Sequence, residues 1–182
     1  MPNPQALTSP SRLAALHNTG LLETPEDERF DGITRLAAQI LGVPTVVISL
    51  VDSERQYFKS VVSSNRAASH GWNPLDVTFC QDVVVTREAV VVPDTQKEPL
   101  ASGRNVGARA YAGLPLVSDG QALCTLCAMD PAPRTWPAID LDTLPSLASP
   151  ALSAHPARLA PPTTHPPQLP TPHSTHAPLD TL

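Results

Sequence analysis

Proline sets the outer limit of what this chain can fold. Of its 22 prolines, nine precede Asp130 and thirteen crowd into the segment from Pro131 onward. Proline lacks a donor N–H, fixes its own φ and pushes the preceding residue out of the helical region, so neither a helix nor a central strand survives such density. From Ala160 to Leu182 the chain reads APPTTHPPQLPTPHSTHAPLDTL, with too few large apolar groups to offset the entropy of ordering. The expected organisation is a disordered N-terminus over residues 1–10, a globular part over 11–152 whose closing helix is weak after 138, and a disordered Pro/His/Thr-rich tail over 153–182. The histidines of that tail, with His173 and His176 the nearest pair, have no Cys or carboxylate beside them, so no metal site is expected there.

Charge and cysteine usage narrow the function classes. Twelve Lys and Arg against 17 Asp and Glu leave a net charge of −5. That balance argues against nucleic acid as the main partner, because phosphate binding needs a basic surface. It argues equally against an anionic membrane surface. No run approaches the roughly 20 apolar residues of a spanning helix. The start, MPNPQALTSP, has no basic n-region and no apolar h-region, so no secretory signal is read. Three cysteines cannot all pair within one chain, and the expectation is a cytoplasmic protein with reduced thiols.

Hydrophobic period then places the elements. Ser11 is read as the cap of a short helix closed by Gly20. Thr24-Pro25-Glu26-Asp27 reads as the start of a longer one, with Thr24 as cap and Pro25 in the first turn. Phe30, Ile33, Leu36, Ala37, Ile40 and Leu41 recur at helical spacing and Gly42 marks the stop. Residues 43–51 are short, β-branched and almost wholly apolar, as a strand buried on both faces should be. Asp52 and Arg55 bound a turn, and 56–62 return as a hairpin arm. Residues 63–77 read as a loop over the sheet, and Phe79 to Thr86 as a short helix capped by Thr78. Val90–Val92 is a strand ended by Pro93 and Asp94, after which 95–109 read as loop. Tyr111–Val117 is a strand whose Pro115 implies an edge or bulge. Asp119-Gly120 is a hairpin turn, and Gln121–Met129 the returning strand. Antiparallel hairpins with segregated helices mean α+β.

Three blocks, LLETPEDERFDGITRLAAQILGVPTVVISLVDSERQYFKS, FCQDVVVTREAVVVPDT and AYAGLPLVSDGQALCTLCAMD, occur here in the order and spacing of the GAF domain. The chain resembles most the GAF type found near the N-terminus of bacterial signalling proteins, ahead of a histidine kinase or a cyclic-di-nucleotide output. The resemblance runs from about Arg12 to Asp130. It implies a central antiparallel sheet of five to six strands with helices on both faces, and a pocket between the sheet and the short helices and loops above it. It further implies a sensory or regulatory module that binds a small molecule or a partner, a kinase or cyclase that listens to it, and homodimerisation as one mode of assembly. Which cofactor, if any, is left open. Departures from the pattern are Ala110 in place of an aromatic, Cys124 in place of a glycine, and Pro145 and Pro150 inside the closing helix at 139–152.

The matched blocks give the candidate ligand-binding residues: Phe79 and Cys80 above the sheet, Asp94 after the third strand block, Tyr111 and Gly113 on the next strand, and Cys127 on its neighbour. Cys124 and Cys127 form a C-x-x-C, but on a strand they point to opposite faces, and three steps of about 3.3 Å hold them about 10 Å apart. That exceeds the limit of about 7 Å for a disulfide. Cys80 and Cys127 are the pair that family topology would bring to one cavity, and they define the alternative reading: a thiol redox sensor, or an enzyme like the GAF proteins that reduce free methionine sulfoxide. Arg104 and Arg109 are candidates for an anion, and Asp94 for a turn. No catalytic residue and no metal ligand is assigned. There is no nucleophile-elbow pattern, phosphate loop or HExxH, so the leading expectation is non-catalytic. A last alternative, motivated by the broken closing helix, is the truncated or frame-shifted remnant of a sensor kinase or cyclase.

Overall fold

The computed structural model describes residues 4–64, 69–101, 107–137, 141–142 and 144–146. Its frame is one antiparallel sheet of six strands: β1 (Thr45–Val51), β2 (Arg55–Ser63), β3 (Gly71–Pro74), β4 (Val90–Val92), β5 (Ala110–Ser118) and β6 (Gln121–Asp130). Their spatial order is β3-β2-β1-β6-β5-β4. The apolar run at 45–51 is central because it is buried on both sides; it pairs with β2 along one edge and β6 along the other. Asp119 and Gly120, with φ of 50° and 70°, make the two-residue turn that joins β5 to β6. Both central residues at positive φ match the twist of a tight hairpin.

Helices cover both faces of this α+β fold. α1 (Pro10–Asn18) and α2 (Glu28–Leu41) lie on one, where Leu16, Phe30, Ala37 and Leu41 pack against Val46, Ile48, Leu50, Leu126 and Ala128. α3 (Cys80–Thr86) lies on the other, where Cys80 and Val84 pack with Val47, Phe58, Tyr111, Cys127 and Met129. Strand alternation sorts the C-x-x-C as expected: Cys124 belongs to the α1/α2 core and Cys127 to the α3 core.

Several expectations are corrected. Residues 4–6 form a 3-10 turn and α1 already begins at Pro10, so the N-terminal segment is structured from Pro4; Ser9, not Ser11, precedes the helix, and residues 1–3 lie outside the described residues. α2 starts three residues later than Thr24-Pro25 suggested, with Asp27 as cap accepting from the Arg29 N–H at 3.1 Å. Thr24 is used elsewhere: its hydroxyl donates to the Leu21 carbonyl and accepts from Lys59 Nζ at 2.6 Å. The loop expected at 63–77 contains an edge strand, β3, paired with β2, and a 3-10 turn at Leu75–Val77; residues 65–68 lie outside the described residues. Pro115 sits where β5 has run past the short β4, so its missing N–H costs no ladder bond on that side.

One irregularity matters for the α2 face. The β1–β2 register jumps between Ile48 and Ser49, leaving Lys59 without a partner residue. Such a bulge turns two successive side chains to one side. Lys59 reaches Thr24 and the Pro25 carbonyl, while Ser60 donates to Asp31 and meets Thr34, pinning the front of α2 to the sheet.

After β6 the chain crosses the end of the sheet. Arg134 donates to the Leu41 and Gly42 carbonyls at the C-terminus of α2, where a cation is favoured, and Trp136 Nε1 donates to the Val92 carbonyl. Residues 141–142 and 144–146 are helical, with Leu141 and Leu144 buried in the α1/α2 core. The rest of the expected closing helix at 139–152, and the tail over 153–182, lie outside the described residues. Among the described residues no helix is long and apolar enough to cross a membrane.

Candidate functional site

Three elements, β5, β6 and the start of α3, deliver polar side chains to one point in the α3-side core. Cys127 stands on β6 opposite Val47 of β1 and Gly113 of β5. Two residues earlier, on the same face, β6 presents Thr125, opposite Ser49 and Pro115. Cys80 opens α3, and Thr78, just before it, accepts from the Cys80 N–H at 3.2 Å. Tyr111 reaches in from β5.

The two sulfurs are 3.1 Å apart. Thr78 donates to Cys80 Sγ at 2.8 Å and Thr125 at 3.0 Å, and Thr125 Oγ1 also lies 3.2 Å from Cys127 Sγ. The Tyr111 hydroxyl is 3.1 Å from Cys127 Sγ and 3.7 Å from Cys80 Sγ. Cys80, Cys127, Tyr111, Phe79 and Thr125 are all fully buried. Phe79 meets the Tyr111 ring edge-on at 4.9 Å and closes the cluster on the helix side.

These contacts make the two thiols unequal. Burial works against ionising Cys80, but hydrogen bonds from Cys127, Thr125, Thr78 and Tyr111 converge on its sulfur and together win, bringing its pKa down to about 7. Cys127 moves well up, because burial and then the bond and charge of Cys80 hold its proton in place. Cys80 is therefore the sulfur that gives up its proton first, and Cys127 the one that keeps it. Cys124, on the other face, is pushed up by burial.

From Thr78 the polar chain continues. Gln56 Oε1 lies 3.3 Å from the Thr78 hydroxyl and accepts from Ser49 at 2.9 Å, while Gln56 Nε2 donates to the Pro74 carbonyl on β3. A buried row of hydroxyls, thiols and one amide therefore runs from β5 to the far edge of the sheet.

Of the six residues singled out in the sequence, the structure gathers five here: Phe79, Cys80, Tyr111, Gly113 and Cys127. Gly113 acts through the Tyr111 ring laid across it. The sixth, Asp94, stands apart. Arg109 donates to both of its carboxylate oxygens at 3.0 Å, holding the carboxyl below the usual carboxylate range. Asp94 Oδ1 also accepts from the Gln96 N–H, the turn geometry read from the sequence, and the residue borders an open hollow of about 450 Å³ together with Lys97 and Arg134. Arg109 is therefore committed to Asp94, and Arg104 lies outside the described residues. Thr125, Gln56 and Ser49 were not anticipated. A single hydroxyl within an apolar strand carries no signal until its neighbours across the sheet are known. Among the described residues no three His, Cys, Asp or Glu side chains cluster as a metal site.

The comparisons agree with this architecture. The family model for the GAF domain matches residues 25–152. A cyclic di-GMP phosphodiesterase of Pseudomonas aeruginosa is 30% identical over 131 residues, which cover 68% of this chain and 22% of that protein. The chain therefore spans about a fifth of the length of this curated relative. Among solved structures, the type II free methionine-R-sulfoxide reductase of Thermoplasma acidophilum superposes with a TM-score of 0.59 at 12% identity, over 70% of this chain and 92% of that one. The GAF domain of an Acinetobacter phosphoenolpyruvate-protein phosphotransferase superposes with a TM-score of 0.58 at 17% identity, over 80% and 94%. At these identities the two structures speak to the fold alone.

Proposed function

This chain belongs to the GAF domain family, and from that premise we propose that it is a regulatory input module whose sensed variable is the oxidation state of Cys80 and Cys127. The observation that carries the reading is the 3.1 Å separation of two buried sulfurs, one of them held ready to ionise. A disulfide needs about 2.05 Å, so closure asks for roughly 1 Å of movement. The reading of these residues as a small-molecule pocket is less well supported, because Phe79 and Tyr111 fill the space between α3 and the sheet. The module acts once per oxidation and reduction rather than as a catalyst. Its output is of the kind carried by its curated relative, a cyclic-di-nucleotide enzyme, or a histidine kinase, acting with it in the cytoplasm.

Closing the disulfide removes the hydrogens of both thiols and leaves Cys80 Sγ a much weaker acceptor for Thr78. That hydroxyl turns fully to Gln56, which is tied to β3 through Pro74. The redox state is thereby passed to the outer edge of the sheet. The reading is tested by equilibrating the reduced protein in glutathione buffers of graded potential and weighing it intact. A reversible loss of two hydrogens, mapped to a Cys80–Cys127 peptide and absent from Cys127→Ser, is expected. Thiols that remain free across the whole range would overturn it.

A further inference from the structure

We propose that the oxidant this site takes is a small hydroperoxide, with Cys80 as the attacking sulfur and Cys127 as the resolving one. The proposal rests on the redox-sensor reading and names its substrate class. Two features of the geometry carry it.

The first is size. Both sulfurs and the residues around them, Phe79, Tyr111 and Thr125, have no exposed surface. A disulfide such as oxidised glutathione, or a methionine sulfoxide, must displace a helix or an aromatic ring to reach them. Hydrogen peroxide has two heavy atoms, is uncharged, and needs only the small local openings that a packed domain undergoes.

The second is the direction of the hydrogen bonds. Cys80 Sγ receives the Thr78 hydroxyl at 2.8 Å and the Thr125 hydroxyl at 3.0 Å, and Cys127 Sγ lies 3.1 Å away. Such donors favour a thiolate, the form that attacks. Cys127 Sγ also has hydroxyls near it, Tyr111 at 3.1 Å and Thr125 at 3.2 Å, but the shortest donor, Thr78, points at Cys80 alone. The same hydroxyls stand ready to donate to the peroxide oxygen that carries charge as the bond breaks.

The chemistry balances. The Cys80 thiolate forms a bond to one peroxide oxygen, and the O–O bond breaks with its electron pair on the other. That oxygen takes up the proton Cys80 had released and leaves as water, and Cys80 becomes a sulfenic acid. Cys127 then attacks the sulfenic sulfur; the S–O bond breaks, and the hydroxyl leaves as a second water with the Cys127 proton. Two thiols are oxidised by two electrons to one disulfide, and one peroxide is reduced to two waters.

The full chain, freshly reduced, is mixed with hydrogen peroxide or with oxidised glutathione at equal concentration, then quenched and weighed. Peroxide should close the Cys80–Cys127 bond faster by about tenfold or more, since only the larger oxidant waits for a wide opening. In Cys127→Ser, and in Cys127→Ala as a second variant with no hydroxyl, dimedone should trap the sulfenic acid on Cys80. Cys80→Ser should show no fast phase. A dimedone adduct on Cys124, or glutathione matching peroxide in rate, overturns the proposal while the disulfide itself keeps the sensor reading intact. A folded protein in which neither oxidant forms the bond overturns both.

Discussion

The Tyr111 ring lies across Gly113, two residues further along β5, so closely that a β-carbon on Gly113 would stand 2.5 Å from the tyrosine oxygen and 2.7 Å from Cε1. It would also stand 2.8 Å from Val83 Cγ2 on α3. All three are inside van der Waals contact, and both Tyr111 and Val83 are fully buried. Overpacking of this kind costs about 1–3 kcal/mol, against a gain of about 0.4–1 kcal/mol from a less flexible unfolded chain. Gly113→Ala should therefore lower stability by about 1–2 kcal/mol in urea unfolding. It should also lift Tyr111 off the sulfurs, so that a thiol reagent modifies Cys127 faster in the native protein. Unchanged stability and unchanged thiol access would show that the glycine is not what seats the ring.

Donors to Cys80 should rank by distance. Thr125 donates at 3.0 Å, whereas the Tyr111 hydroxyl is 3.7 Å away. Thr125→Val keeps the shape of the side chain and removes the donor; Tyr111→Phe does the same for the ring. Both should raise the Cys80 pKa from about 7, with Thr125→Val raising it more. Each should cost about 0.5–1.5 kcal/mol as a lost buried hydrogen bond. Titration of thiolate ultraviolet absorbance reads the shift directly, and the reverse order would mean that the tyrosine, not the threonine, stabilises the charge.

The unequal thiols make stability depend on pH. Cys80 has a folded pKa of about 7 against an ordinary 9.0. A depressed acid stabilises the fold above its unfolded pKa, and that stabilisation is lost as pH falls through the folded value. The contribution is roughly 2–3 kcal/mol, present in full above pH 9.0 and gone below about 7. Cys127 runs the other way: its proton is held on, so its contribution is present below the ordinary thiol pKa and declines as pH rises beyond it. Urea midpoints of the reduced protein should climb between pH 7 and 9 and then fall, and Cys80→Ser should lose the climb.

Asp94 gives the opposite expectation. Its carboxylate is occupied by Arg109 and by the turn at Gln96, with no bond to either sulfur. Asp94→Asn should leave the rate and extent of Cys80–Cys127 disulfide formation unchanged. Its effect should be confined to a small fall in stability at neutral pH that disappears in acid, since a depressed carboxyl stabilises only above its ordinary range. A changed disulfide rate would tie the two places together after all.

What the sequence revealed and what it hid follow from the range of each signal. The apolar run at 45–51 and the Asp119-Gly120 turn are local, and both stand where they were read. The opposite facing of Cys124 and Cys127 is strand arithmetic and also holds. The start of α2 was misplaced because Thr24-Pro25 satisfies every local rule for a helix start, while a buried lysine 35 positions later claims the threonine hydroxyl. The β3 strand is illegible in the sequence because Gly71-Trp72-Asn73-Pro74 has no alternation; only its register with β2 makes it a strand. The meeting of Cys80 with Cys127 came from the family resemblance, since 47 residues separate them. The hydroxyls that make them unequal had no signature, because Thr125 in one strand and Thr78 before a helix acquire meaning only when the sheet brings both to one sulfur.

After β6, where two prolines in the sequence predict a weak closing helix, the chain still contributes to the core. Leu144 is 1% exposed and joins the core between the sheet and the α1/α2 layer. Upstream, Trp136 is tied to the Val92 carbonyl and Arg134 to the end of α2. Pro145 is itself helical here, and the Leu141 N–H reaches the Pro137 carbonyl one turn back. Removing buried methyl groups at such a site leaves a cavity that the rigid sheet cannot fill, at a cost of about 2–5 kcal/mol. Leu144→Ala should lose that much in urea unfolding, with the slope of the transition unchanged. The sulfur cluster lies on the opposite face, so the native variant should keep the disulfide behaviour of the parent. A loss under about 0.5 kcal/mol, the range of ordinary surface changes, would mean that this segment only rests on a core already complete without it.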